Sequence, residues 1–337
     1  MIVAGSVEEL LASFAAGRDV RREAFVPAET RSTAAFERVW VDGEPFVLKH
    51  VHLDGDFTMR VSGDIGCRSV RAYAAGLVDV APASIDHAIV GAARGIGRNG
   101  WGGAFLMRDV SAWLATGDDS PFPEAQHVGF VDSLAALCAA TWGWRDDGVG
   151  LLPYGARWAY FDAAAIEGER ALGWPERVPE IAHEGWARFD KRAPAGVGRV
   201  VGELRHDLTP LVDALRTTPS CFLHGDWKAS NLGTAADGRT ILIDWMYVGE
   251  GPACHELGWY LAINRAKLPG GWTKERTIDE FRRALERHGV ATGAWWNRQL
   301  ALCLLGTLVE FGWEKALGDD DELGWWCAAA SDGLALL

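Results

Sequence analysis

The run Cys221-Phe-Leu-His224-Gly-Asp226-Trp-Lys228-Ala-Ser-Asn231, followed by Ile241-Leu-Ile-Asp244-Trp245, decides how the rest of this chain is read. Moving a phosphoryl group asks little covalent work of a protein. It needs an anionic base beside the attacking hydroxyl and hard oxygen ligands for the metal ions on the phosphates. Asp226 suits the base. Asn231, five residues later, offers a neutral carboxamide oxygen that binds metal without adding negative charge beside the phosphates. The apolar run Ile241 to Ile243 reads as a short buried strand that delivers Asp244 at its end as a carboxylate ligand. Ala235-Ala-Asp-Gly238 between the two supplies turn residues for a hairpin. Lys228 can hold a cation where charge shifts during transfer.

HGDWKASN followed by IDW resembles the catalytic and metal-binding loops of the aminoglycoside phosphotransferase and choline kinase family, itself similar to protein kinases. The offset from base to Asn is that of H-R-D-L-x-x-x-N, with Gly225 in place of the Arg. Asp244-Trp245-Met246 stands in place of D-F-G. The resemblance covers most of the chain in order, and its specific part runs from His224 to Trp245. It implies an α+β, bilobal protein-kinase-like fold with a small antiparallel-sheet N-lobe and a larger, mainly helical C-lobe. On that reading residues 1–109 form the nucleotide-binding lobe, and residues 110–337 hold the catalytic loop, metal loop and acceptor pocket. It also implies ATP and Mg as cofactors, with His224 bracing its loop rather than touching substrate.

Upstream, Glu37-Arg-Val-Trp-Val-Asp-Gly-Glu-Pro-Phe-Val-Leu-Lys49 reads as a β-hairpin turning at Asp42-Gly43. Lys49 then ends the second strand, like the V-A-I-K lysine that pairs the α- and β-phosphates. The preceding segment, Pro27 to Ala35, occupies the place of a phosphate-covering loop. It is not glycine-rich, so Ser32 and Thr33 hydroxyls and backbone amides are its expected donors. Kinases pair the strand lysine with a Glu on the following helix. Here the expected helix from Asp64 to Gly76 contains no Glu, Asp64 reads as its N-cap, and the partner of Lys49 is unassigned. Gly95-Ile-Gly-Arg-Asn-Gly100 satisfies G-x-G-x-x-G but leads into the strand Ala104 to Met107 rather than a helix, so it reads as a hairpin tip. The strand it feeds resembles the interlobe hinge, whose backbone at Met107, Arg108 and Val110 is implied to read adenine.

A chain of 337 residues suggests two lobes, and 49% hydrophobic with 23% charged residues describes a protein with a substantial core. The net charge of -13 argues against a nucleic-acid partner, which Lys and Arg would have to hold. Cysteines at 67, 138, 221, 254, 303 and 327 show no metal or disulfide spacing, which fits reduced thiols in the cytoplasm. The N-terminus lacks a signal-peptide pattern and no run is long enough to span a membrane. Helical periodicity marks Val128 to Trp142, Trp158 to Arg170, Val200 to Leu215, Glu256 to Lys267, Thr277 to Gly289, Ala294 to Ala316 and Asp321 to Leu336, with loops at 116–124, 146–155 and 193–198. Glu256 reads as a helix-start carboxylate.

For the acceptor, Glu310 and Glu314 lie four apart on one helix face beside Trp313. They suit an aminated ligand or form a solvated acidic face, and the tryptophans of the last third either stack on a ligand or pack the core. Together the residues point to ATP- and Mg-dependent O-phosphorylation of a small polyhydroxylated, amine-bearing acceptor such as an aminoglycoside or amino sugar. A choline-like or other metabolite kinase, a nucleotide-binding pseudokinase and a metal-dependent hydrolase are the rivals.

Overall fold

The computed structural model describes residues 1–26, 35–173 and 177–337. The chain divides into two compact units. The first holds Met1–Ser120, Asp146–Leu151 and Ala229–Val248, and the second holds Pro121–Arg145, Leu152–Lys228 and Gly249–Leu337. Small sheets dominate the first and helices the second, an α+β protein.

The first unit opens with strand β1 (Val3–Ala4) and helix α1 (Val7–Ala15), then β2 (Val20–Phe25), β3 (Ala35–Val41) and β4 (Glu44–Val51). Short helices α2 (Phe57–Val61) and α3 (Arg68–Ala74) follow, then β5 (Ile85–Asp86), β6 (Ile89–Ile96) and β7 (Gly102–Arg108). The main sheet runs β1-β6-β7-β4-β3-β2, antiparallel except where β1 lies parallel to β6. The expected hairpin is β3–β4. Asp42 and Gly43 both adopt positive φ (50° and 85°), the requirement of a two-residue type I′ turn. Leu10 and Leu11 of α1 pack with Val39, Val41, Leu48 and Leu106 to form the buried face. The Gly95 to Gly100 motif does join two sheet strands, β6 and β7, through a single 3₁₀ turn.

Two expectations for this unit change. Helix α1 was not among the expected elements, although Ser6-x-x-Glu9 is a capping box: Ser6 Oγ accepts the Glu9 amide at 3.1 Å and Glu9 reaches back to the Gly5 amide. The helix expected from Asp64 begins only at Arg68. Asp64 sits in the preceding turn, its two oxygens accepting the Arg68 amide, so it ties down the first turn without being the cap residue.

The second unit carries α4 (Glu124–Ala140), α5 (Ala163–Leu172), α6 (Val178–Arg192), α7 (Ala195–Leu204), α8 (Thr209–Arg216), α9 (Ala253–Ile263), α10 (Lys274–Arg287), α11 (Trp296–Leu317) and α12 (Asp320–Leu334). Helix α11, buried over most of its length, packs against α6, α9 and α12. The helix expected over 200–215 is two, because Pro210 requires a fresh start and Asp207 accepts the Thr209 amide at the break. The pattern expected over 158–170 likewise resolves into a 3₁₀ turn, Tyr154–Trp158, and α5. No helix among the described residues is long and apolar enough to cross a membrane.

Candidate functional site

The chemistry-bearing residues fall into two groups, one in each unit, and the quoted motif passes from the second unit to the first between Lys228 and Ala229.

In the first unit the strands Leu232–Thr234 and Thr240–Leu242 form the hairpin expected around Gly238, flanked by β5. Its register places Leu232 opposite Leu242, and the next pair closes with Ile243 N–H donating to Asn231 O at 3.0 Å. Asn231 and Asp244 therefore emerge at the same open end. Asp244 adopts φ +68°, a region that side chains other than glycine seldom occupy and that Asp tolerates better than most. Strain of this kind persists where the surroundings fix it, as at sites of function. Lys49 Nζ of β4 lies 2.7 Å from Asp244 Oδ1, with the lysine nearly buried. The partner left unassigned by the sequence is thus the carboxylate at the end of the hairpin, 195 residues away.

At the end of β7, Met107 lies opposite Val47 and Ile89 in the ladder. Arg108 spends its amide on Ala88 O at 2.9 Å and its guanidinium on Asp86. Val110 is buried against Ala88 and Ile241. Ser32 and Thr33 lie outside the described residues.

In the second unit Asp226 is 1% exposed and both of its oxygens are engaged. Trp259 Nε1 donates to Oδ1 at 3.1 Å, and Lys228 Nζ lies 2.8 Å from Oδ2. These two donors fix the direction of the carboxyl. The loop that carries it is gripped by one face of α9. Glu256 Oε1 accepts the Gly225 amide at 2.5 Å, Trp259 reaches Asp226, and Asn264, just past the helix, donates to Trp227 O at 3.1 Å. Trp259 and Asn264 follow Glu256 by three and eight residues, which brings these side chains towards one stripe. His224 is fully buried and its Nδ1 accepts the Asp226 amide at 3.2 Å, a bond internal to the loop. Gly225 takes φ +86°, which lets the backbone turn sharply between His224 and Asp226.

Sequence reasoning did not single out this α9 stripe. Its signal was present as Glu256, Trp259 and Asn264 at helical spacing directly after the metal-loop strand. Glu256 does stand in the first turn of α9, but it is wholly buried and acts on Gly225 rather than on the helix end alone.

The acidic pair on α11 is split, with Glu310 buried in the helix packing and the Glu314 side chain half-exposed. Glu310 is 1% exposed, its Oε1 has no hydrogen-bond partner, and burial raises its carboxyl well above the ordinary range, with the Asp226 charge adding to the rise and Arg157 opposing it. Trp313 Nε1 is likewise buried without a partner, whereas Glu314 pairs with Lys315. An aromatic run leads from Trp259 through Phe311 and Phe161 to Trp313, with ring centres 4.9, 5.9 and 5.1 Å apart.

Residues 30–291 match the model of the phosphotransferase enzyme family. The chain belongs to that family. It is a small-molecule phosphotransferase. Among solved structures it resembles the microcompartment-associated aminopropanol kinase, at 14% identity and a TM-score of 0.51, over 94% of this chain and 95% of that one. It also resembles choline kinase LicA from Streptococcus pneumoniae, at 12% identity and a TM-score of 0.51, over 97% and 96%. At such identities the likeness is one of fold, and it extends over nearly all of this phosphotransferase. No curated protein matches the sequence.

Proposed function

We propose that this phosphotransferase transfers the γ-phosphoryl group of ATP, with Mg, to a hydroxyl of a small amine-bearing acceptor such as an aminoglycoside or amino sugar. The observation that carries this reading is the Asp226 carboxylate, shielded from water and held by Trp259 and Lys228. An aspartate so directed can orient an alcohol O–H and take its proton while the alcohol oxygen bonds to phosphorus and the bridging P–O bond of ATP breaks, giving a phosphate ester and ADP. Lys228, paired with Asp226, would offset negative charge on the transferring group.

Asn231 and Asp244 are the residues that would hold the metal. Two hard oxygen donors at one end of a hairpin fit a Mg ion completed by phosphates and water, which needs only one or two carboxylates from protein. When bound, that ion neutralises charge on the β- and γ-phosphates. Lys49, paired with Asp244, would meet the α- and β-phosphates, with the backbone at Met107 to Val110 beside the base. On the acceptor side Glu310, Trp313 and Glu314 are the candidates for an ammonium group. Glu310 has an unpartnered buried oxygen and feels the charge of Asp226.

Asp226→Asn is expected to lower turnover by about 100-fold or more, the usual worth of a positioned base, with ATP binding nearly unchanged. ADP release measured across aminoglycosides, amino sugars, choline analogues and related alcohols identifies the acceptor. Unaltered turnover in the variant overturns the assignment of Asp226. ATP binding by the wild type with no acceptor-dependent ADP release in any class points instead to a nucleotide-binding module.

A further inference from the structure

The main sheet of the first unit has two faces, and its ladder decides which side chains share the one that bears Lys49. Helix α1 covers the face of Val39, Val41 and Leu48. Alternation along the strands then puts Phe25 of β2, Phe36 and Arg38 of β3, and Val47 and Lys49 of β4 together on the other face. We propose that Arg38 is a second phosphate-binding cation, set on this face to hold the phosphate chain of the nucleotide together with Lys49. This assignment rests on the nucleotide-binding reading given above.

The register places the two cations within reach of one ligand. Arg38 lies directly opposite Val47, so Lys49 is its diagonal neighbour, a relation that spaces Cβ atoms roughly 7–8 Å apart. The Arg38 guanidinium stands 5.1 Å from the centre of the Phe25 ring, and that ring packs on Phe36 with centres 5.7 Å apart. Phe36 in turn is the residue paired with Lys49. The guanidinium is thus drawn along the face into the row Phe25, Phe36, Lys49. Phe25 is the last residue of β2, and the segment after it is the one expected to cover phosphates.

Arg38 also carries a charge that the sheet leaves unspent. Among the described residues it has no carboxylate partner, although an acid is at hand. Glu23 sits directly opposite it on β2, the place for a cross-strand ion pair, yet Glu23 turns to Arg21 at 3.8 Å. Arg22, between them on β2, is held by Glu37 at 2.8 Å on the α1 face. A purely structural arginine would be better served by Glu23. Stacking on an aromatic ring instead orients the planar guanidinium and leaves its N–H edge open. Such a fork grips phosphate oxygens two at a time, whereas a lysine acts as a point charge. The two cations differ in exposure as well, since Lys49 is nearly buried and 2.7 Å from Asp244, while Arg38 is exposed. In a chain of net charge -13, an unpaired cation beside half-buried Phe25, Phe36 and Val47 calls for an anionic ligand with a flat apolar part.

Isothermal titration calorimetry of the full chain with ATP, ADP, AMP and adenosine in Mg buffer tests this in wild type, Arg38→Gln, Arg38→Lys and Arg21→Gln. Arg38→Gln should weaken ATP and ADP tenfold or more and leave adenosine within twofold, because only phosphates meet the guanidinium. Arg38→Lys should recover part of the loss, since it keeps the charge and gives up the fork. Arg21→Gln, on the same face but over Trp40 and paired with Glu23, should bind all four as the wild type does. Melting temperatures should stay within a few degrees of wild type, as both arginines are exposed. ATP and ADP affinities within twofold of wild type in Arg38→Gln overturn the proposal. So does an equal loss for adenosine, which would place Arg38 against the base or in the packing of Phe25. Failure of both Arg38 variants to fold would make the residue architectural and overturn it too. A wild-type protein that binds no ATP would instead sink the nucleotide reading itself.

Discussion

Glu256 is wholly buried and accepts the Gly225 amide, and exclusion from water lifts its carboxyl to about 7 despite that bond and the nearby Arg157. A carboxyl raised in the folded state stabilises fully below its unfolded value of 4.5, and the benefit is lost as pH rises through 7. Glu256→Gln keeps an acceptor for Gly225 and cannot ionise. Urea unfolding across pH 4.5 to 8 should show the variant gaining about 3 kcal/mol on the wild type, at 1.36 kcal/mol per unit. A difference that stays flat with pH would mean that Glu256 is solvated. Glu256→Ala, by contrast, strands a buried N–H and should cost about 1–3 kcal/mol at every pH. The sequence makes Asp226, Asn231 and Asp244 visible because phosphoryl transfer restricts residue type and spacing. It hides the Lys49–Asp244 pair, which joins positions 195 apart, and it hides the duty of Glu256, since any acid in a first helical turn reads as a dipole partner.

Helix boundaries show the same division between what periodicity carries and what only packing reveals. The strongly patterned helices α4, α9, α10, α11 and α12 lie within a few residues of where apolar spacing puts them. Helix α6 escaped because small residues, Ala182 and Gly185, share its buried stripe with Trp186 and Phe189. The first half of α7 escaped because Gly196 and Gly198 look like a loop, although Val197 is buried at a helical offset from Val201 and Leu204. The two kinds of glycine predict opposite outcomes for one substitution. At Gly185 an added Cβ would lie 2.4 Å from the Trp313 carbonyl oxygen of α11, a backbone atom that cannot swing aside. Gly185→Ala should therefore force α6 and α11 apart and cost about 1–3 kcal/mol. At Gly202 a Cβ would meet nothing within 4 Å, so Gly202→Ala should stabilise by about 0.5–1 kcal/mol through helix propensity. Thermal unfolding of the two single variants decides both, and a Gly185→Ala protein as stable as wild type would contradict the contact.

Across the molecule, buried ionisable groups with opposite pH dependence act on one folding equilibrium. His127 of α4 is fully buried, with Nδ1 2.8 Å from the Tyr260 hydroxyl of α9 and Nε2 3.2 Å from Thr277 Oγ1 of α10. Exclusion from water, with the Arg276 charge adding to it, holds its imidazole down at about 4. Between 4 and the unfolded value of 6.5 the unfolded chain binds the proton and the folded one resists it, so stability is complete above 6.5 and falls as pH drops towards 4. That contribution amounts to about 3 kcal/mol, opposite in sign to that of Glu256 and overlapping it in range. Both groups belong to the second unit, so the wild-type profile between pH 4.5 and 6.5 should be flatter than either group alone would give. His127→Gln removes the imidazole and leaves the carboxyl contribution uncovered. Urea unfolding of this variant should then show stability falling with rising pH across that interval, where the wild type changes little. Glu256→Gln should show the mirror-image rise, and combining the two should restore a shallow profile because each substitution deletes one of two opposed proton-binding steps. Parallel profiles for wild type and His127→Gln would mean that the imidazole titrates alike in both states, and that its place between three helices does not exclude the proton.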